Sequence, residues 1–237
     1  MKTLGYDAIM WGGTGWNLLW SFGVAQFFID TGLESPYKVG VVSGGCMPAL
    51  AFCGAANQQI GIVQCEQLYK YGDIFFNDRF RRRLRRYFES FANQDCMEIL
   101  KDYDFYSTYT KIPSFKLIKD NIHASRKDLL DKLMAGCHIP FLMGTNIPIF
   151  HNHNYMIDVI DFRKTWWEFP VNNTIVISPS EKSSINIIGG ELNILTVIGV
   201  RGKLTDKDLF LKGYKDAAEW YGNIKHNEAW ASKENWK

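Results

Sequence analysis

The chain lacks a long hydrophobic run: no window approaches the ~20 uninterrupted apolar residues that a bilayer-spanning helix needs. It also lacks the apolar stretch of a secretory leader, because MKTLGYDAIMWGGTG meets Asp7 and a glycine cluster too early, so a cytoplasmic location is expected. Cysteine is sparse, with five residues at 46, 53, 65, 96 and 137. They form no CxxC pair and are odd in number, which suits reduced thiols better than a disulfide framework. Charge of one sign is not in excess either, 27 Lys and Arg standing against 25 Asp and Glu. The molecule as a whole is therefore no polyanion binder, and no nucleic-acid motif accompanies its basic residues, so no nucleic-acid partner is expected. Low-complexity linkers, internal repeats and proline-rich breaks are absent, which predicts one domain over residues 1–237. That length suffices to bury roughly 70–75% of the surface exposed by the unfolded chain.

What is present is a strand, a glycine turn and a helix, twice within about sixty residues. Leu4 to Trp11 reads as a first strand running into Gly12-Gly13-Thr14-Gly15, and the helical spacing of Leu18, Leu19, Phe22, Val24, Phe27 and Phe28 follows. Lys38 to Val42 reads as a second buried strand, Ser43-Gly44-Gly45 as its turn, and Met47 to Gln59 as an alanine-rich helix. The alternation predicts a βαβ-layered α/β fold with a mostly parallel sheet. Further on, Ser125 to Cys137 reads as a helix opened by a Ser125/Asp128 cap, with short strands at Asn154 to Val159 and Thr174 to Ser178. The C-terminal region, 205–237, reads as helical.

Asp78 to Phe91, DRFRRRLRRYFESF, predicts an amphipathic helix. Phe80, Leu84, Tyr87, Phe88 and Phe91 share one face, and arginines at 79, 81, 82, 83, 85 and 86 crowd the rest. Two readings stand together: a solvated face around a core-facing stripe, or a contact with an anionic surface.

The second turn carries the chemistry. An apolar strand ending in a serine among glycines is the pattern of a nucleophile elbow, in which a sharp turn lifts the hydroxyl clear of the sheet. Ser-Gly-Gly taken alone fits a plain glycine-rich connection as well. Three other segments change the balance. Backbone N–H groups at Gly13, Thr14 and Gly15 could hold a developing oxyanion. Asp158 ends the strand Asn-Tyr-Met-Ile-Asp-Val, where a carboxylate could take the Ser43 proton. Thr174 to Pro179 forms another strand end.

This set, in this order, resembles the patatin-like phospholipase family over nearly the whole chain, above all its adiponutrin and adipose-triglyceride-lipase branch. Gly13-Thr14-Gly15-Trp16-Asn17-Leu18 with Gly23-Val24 resembles the family's oxyanion motif, and Ser43-Gly44-Gly45 with Ala49-Leu50 its serine elbow. Asp128-Leu129-Leu130 through Pro140-Phe141, Tyr155 to Asp158, Ser178-Pro179 and Gly213-Tyr214-Lys215-Asp216-Ala217 resemble four later segments. The resemblance implies a patatin-like domain with helices on both sides of its sheet. It implies a Ser43–Asp158 dyad acting on phospholipid or acylglycerol esters, as a hydrolase or as an acyltransferase, with no cofactor. The departures are Val41 where the family has glycine, Asn17 and Leu18 in the oxyanion motif, and Val159 after the aspartate. They leave open a catalytically silent lipid-binding relative, and the spacing leaves Asp161 as a competing carboxylate.

A lipid substrate requires an interface, so peripheral attachment to an anionic membrane or lipid-droplet surface is expected, with Arg79, Arg82, Arg83 and Arg86 as contacts. His151-Asn152-His153 lacks the further ligands of a metal site, and no metal is expected. A histidine completing a triad, His138 or His151, is weighed against the dyad. Trp166-Trp167 is read as core before lipid anchor.

Overall fold

The computed structural model describes residues 2–3, 5–70, 78–139, 149–151, 154–159, 173–179, 187–189 and 205–234. Ten strands are described: β1 Lys2–Thr3, β2 Ala8–Trp11, β3 Leu33–Glu34, β4 Lys38–Val42, β5 Asp104–Ile112, β6 Lys116–Asp120, β7 Ile149–His151, β8 Asn154–Ile157, β9 Thr174–Ser178 and β10 Ile187–Gly189. Seven α-helices accompany them: α1 Leu18–Asp30, α2 Cys46–Phe52, α3 Gln58–Lys70, α4 Asp78–Phe91, α5 Cys96–Leu100, α6 Arg126–Gly136 and α7 Asp206–Glu234. The protein is thus mixed α/β.

The central sheet runs β10-β9-β2-β4-β5-β8-β7, with β6 also paired to β5. Strands β10, β9, β2, β4 and β5 are mutually parallel, while β6, β7 and β8 are antiparallel to their neighbours. The parallel centre follows from sequence: AIMW, KVGVV and TIVIS are near-continuous apolar runs, as strands covered on both faces require. Alternation splits their side chains. Ile9, Trp11, Val39, Val41, Phe105, Ile175 and Ile177 enter the large core, whereas Ala8, Met10, Val42 and Val176 form a second cluster on the other face. The described helices bury their apolar side chains chiefly in the large core, so the expected helical layer is seen there.

Two glycines let α1 and α7 cross closely. A Cβ at Gly23 would lie 2.8 Å from the Tyr214 nitrogen, and one at Gly213 would lie 2.7 Å from the Trp20 carbonyl carbon. Beside this crossing the Trp20 indole N–H donates to Asp216 Oδ2 at 2.7 Å. The resemblance at Gly213-Tyr214 thus falls on a packing contact.

Three expectations change. The predicted helix from Met47 to Gln59 is two helices, because Gly54 takes φ +77° and Ala56 forms a bridge to Ala92. The strand expected to run into the glycine turn is β2, which begins at Ala8, while Leu4 lies outside the described residues; the aspartate strand ends at Ile157, not Val159. The β5–β6 hairpin, unforeseen, is rich in Thr, Tyr and Lys. Helix α6 starts as expected: Ser125 Oγ accepts from the Asp128 N–H at 3.1 Å.

In α4, Leu84, Tyr87, Phe88 and Phe91 are buried, as the stripe predicts; the side chains of Arg79 and Phe80 lie outside the described residues. Arg81, Arg82 and Arg86 are exposed and Arg83 is half-buried. Arg85 departs from the expected solvated face. It pairs with Glu89 at 3.0 Å and with Asp131 of α6, pinning the two helices together. Among the described residues no helix is long and apolar enough to cross a membrane.

Candidate active site

Ser43 follows β4 directly, and its backbone sits at φ +50°. That left-handed conformation costs a non-glycine residue about 1–3 kcal/mol and persists only where surrounding structure imposes it. One tight turn, Ser43–Gly45, then leads into α2. The two glycines after the serine are required by contact. A Cβ on Gly45 would stand 2.7 Å from the Trp11 carbonyl oxygen, and one on Gly44 would collide with Thr14 Oγ1. Any larger residue would push the elbow away from the end of β2. Val41 does not block this turn: its side chain alternates into the large core, and the strained serine conformation is reached with valine in place.

The first glycine loop lies against the elbow. A Cβ on Gly13 would meet Ser43 Cβ at 3.6 Å and Val42 Cγ1 at 3.8 Å, so Gly13 flanks the hydroxyl directly. Gly15 takes φ +48°, and the loop closes when the Asn17 N–H donates to the Thr14 carbonyl at 2.8 Å. Thr14 and Asn17 are buried. Gly12 is not a donor toward the site, because its N–H is held by the Ile177 carbonyl at 2.8 Å. Among the described residues, the N–H groups of Gly13 and Thr14 have no protein acceptor.

The partner of Ser43 arrives from β8. Ser43 Oγ donates to Asp158 Oδ2 at 2.7 Å. Strand register explains how residues 115 apart in sequence meet. Val42 lies opposite Thr108 of β5, and Ile157 lies opposite Thr110. β6 occupies the other edge of β5 along Ser107 to Lys111, overlapping both pairings. β4 and β8 must therefore share one edge of β5, running toward each other. Each ends where the other ends, and the next residue of each is Ser43 or Asp158.

Asp158 is 4% exposed. Its N–H donates to the His138 carbonyl at 2.8 Å, and its Oδ1 accepts from the Val159 N–H at 2.6 Å. Burial pushes its carboxyl up to about 7, while the bonds from Ser43 and Val159 oppose the shift. At neutral pH the group is divided between acid and base. Such a carboxylate is a much stronger base than a solvated one, and it touches a hydroxyl held in a strained turn. The arrangement can deprotonate Ser43 and deliver the proton onward.

The site residues read from sequence thus come together: Ser43, Asp158, Gly13, Thr14 and Gly15. Val159, read as a departure, packs on the Met10/Val42 cluster and bonds its own neighbour's carboxylate. Neither function needs glycine. His138 is buried, and its contact with Asp158 is made by the backbone carbonyl, so no His-mediated relay to Ser43 is formed by this contact. Asp161, His153, Trp166 and Trp167 lie outside the described residues, as does the His151 side chain.

Two features escaped sequence reasoning. Cys46 Sγ, three residues after Ser43, lies 3.9 Å from Cys137 Sγ, and this contact with burial pushes the Cys137 thiol up, so it stays protonated at neutral pH. The other is the His138 carbonyl. Its position after α6 is visible in sequence, but which backbone atom it offers to Asp158 depends on strand pairing. No protein-family model matches the chain, and no curated protein matches it.

Proposed function

We propose that the protein is a serine acyl-ester hydrolase of the patatin-like type, using a Ser43–Asp158 dyad on lipid esters. The observation that carries this reading is the 2.7 Å hydrogen bond from a positive-φ serine to a buried carboxyl. Structural serines in glycine turns need none of the three: the strained backbone, the buried acid or the short contact.

In the reaction, Asp158 accepts the Ser43 proton as Oγ attacks an ester carbonyl. The developing oxyanion lies toward Gly13 and Thr14, whose N–H groups face no competing acceptor among the described residues. Asp158 then gives its proton to the departing alcohol, leaving an acyl-serine. Water enters with Asp158 again as base, and the acid is released. One such preorganised donor is worth about 10²–10³ in rate. An alcohol acceptor in place of water would make the same dyad a transacylase.

Peripheral attachment to an anionic surface belongs to the same proposal, with exposed Arg82 and Arg86 as the contacts best supported. Arg85 is committed to Asp131 and Glu89 and is not among them. Release of fatty acid from dispersed phospholipid and diacylglycerol tests the hydrolase reading. Activity that disappears in both Ser43→Ala and Asp158→Asn supports it; activity surviving Ser43→Ala in the folded protein contradicts it.

A further inference from the structure

The sheet does not end at the dyad. Val42, the last residue of β4, lies opposite Thr108, and Ile157 lies opposite Thr110, so Ser43 and Asp158 meet level with Tyr109. Strand β5 runs on to Ile112 before it turns into β6, and the β8 residues Tyr155 to Ile157 pair with this extension. At about 3.3 Å per residue, the β5–β6 turn and the start of β8 stand roughly 10 Å past the end of β4. That is the end of the sheet that carries Ser43.

The projecting rim is aromatic and exposed. Phe115, in the β5–β6 turn, is 65% exposed, Phe150 of β7 60% and Tyr155 of β8 47%. Phe150 and Tyr155 are register partners with ring centroids 5.0 Å apart, and Tyr155 lies opposite Ile112 on its other side. Among the described residues Phe115 and Phe150 are the only exposed phenylalanines, and both stand on this rim. Phe115 also takes φ +51°, a conformation that strains a bulky residue and leaves glycine unstrained. Its side chain finds little burial within the protein to offset that strain.

The rim is cationic as well. Lys111 and Lys116 lie directly opposite each other across the hairpin, and like charges so placed destabilise a strand pair. Residues 105–119 contain no Asp or Glu, and among the described residues no carboxylate lies within ion-pair distance of either lysine. Exposed rings beside unmatched cations complement the boundary of an anionic leaflet, where rings enter the headgroup layer and lysines meet phosphates.

We propose that this rim seats the protein on an anionic phospholipid leaflet, with Phe115, Phe150 and Tyr155 entering the headgroup layer and Lys111 and Lys116 against its phosphates. The inference rests on the hydrolase reading and adds an orientation to it. The end of the sheet that carries Ser43 faces the lipid, so an ester leaving the leaflet travels only a short way to the dyad.

All five native cysteines are buried, so a cysteine introduced at an exposed position takes a nitroxide label selectively. Labels are placed singly in full-length Ser43→Ala protein by Phe115→Cys, Phe150→Cys and, at the opposite end of β4, Tyr37→Cys. The vesicles are phosphatidylcholine and phosphatidylserine in equal parts. On them, the labels at 115 and 150 should become more accessible to oxygen than to a water-soluble nickel complex, while the label at 37 stays aqueous. Phe115→Ser with Phe150→Ser should weaken vesicle binding at least tenfold. Labels at 115 and 150 that stay aqueous in vesicle-bound protein overturn the proposal, because attachment then runs through another surface. An undiminished serine double variant overturns it too, as does protein that does not bind these vesicles. Equal immersion on phosphatidylcholine alone would also overturn it, since the lysines would then have no role. Should the labels enter the leaflet while the Ser43 protein releases no fatty acid from the same vesicles, the hydrolase reading fails and the docking surface stands.

Discussion

Ser43 Oγ donates to Asp158 Oδ2 at 2.7 Å because the strands that carry them, β4 and β8, end head to head on one edge of β5. The dyad is therefore a product of sheet register. A one-residue slip of β8 against β5 would turn Asp158 to the other face of the sheet and break the pair.

On the proposed dyad, the pH dependence of ester hydrolysis follows from the buried carboxyl. Asp158 must be ionised to accept the serine proton, and burial places its titration near pH 7. Ester hydrolysis should rise with pH through about 7 and then level, as measured by kcat/KM on a neutral ester. Asp158→Asn should lower it about 10²–10⁴-fold, the usual contribution of a general base. A rate flat from pH 5 to 9 would exclude Asp158 as the base.

The same group makes stability depend on pH in the opposite sense. Its folded value is above its unfolded one, so between pH 4 and 7 the native state binds more protons and stability falls as pH rises. The difference between 3.8 and about 7 corresponds to roughly 4 kcal/mol by pH 8. Asp158→Asn should accordingly gain stability relative to the parent at pH 8 and gain far less at pH 4. Urea denaturation at both pH values checks this, and a pH-independent difference would contradict it.

The elbow should be intolerant of a single methyl group. Gly45→Ala forces a Cβ against the Trp11 and Gly12 carbonyls, an overpacking that costs about 1–3 kcal/mol. Gly222→Ala in α7 meets nothing within 4 Å and should be neutral or stabilising by up to about 1 kcal/mol. Thermal melts compare the two; equal effects would show that the elbow is not packed tightly against β2.

Binding to anionic vesicles should fall with salt and fall sharply in Arg82→Glu with Arg86→Glu, at roughly 1 kcal/mol for each basic residue near the leaflet. Neutral vesicles should bind little. Cosedimentation measures both, and an undiminished double variant would make these arginines a solvated face.

The tight turn at Ser43 was legible in sequence because apolar strand, serine and paired glycines are local signals. So were the cap at Ser125 and the apolar stripe of α4. Asp158 was legible as a candidate only, since its partner is chosen by the β5 pairing, and Asp161 could not be set aside from spacing. The β5–β6 hairpin was missed because its Thr, Tyr and Lys residues dilute the alternation that marks a half-buried strand. The break after α2 was missed because alanine-rich sequence continues through it, and only the positive φ of Gly54 ends the helix. The role of Arg85 was invisible for a related reason: a charge run on one helix says nothing about Asp131 on another.

The most direct test of the dyad is covalent labelling of the folded protein by a fluorophosphonate probe, with detergent present to open the site. Such a probe reacts fastest with a serine whose proton is removed as it attacks. The predicted result is one label on Ser43, absent in Ser43→Ala and strongly slowed in Asp158→Asn. Folded parent protein that takes no label, or that is labelled equally after Ser43→Ala, would contradict the account.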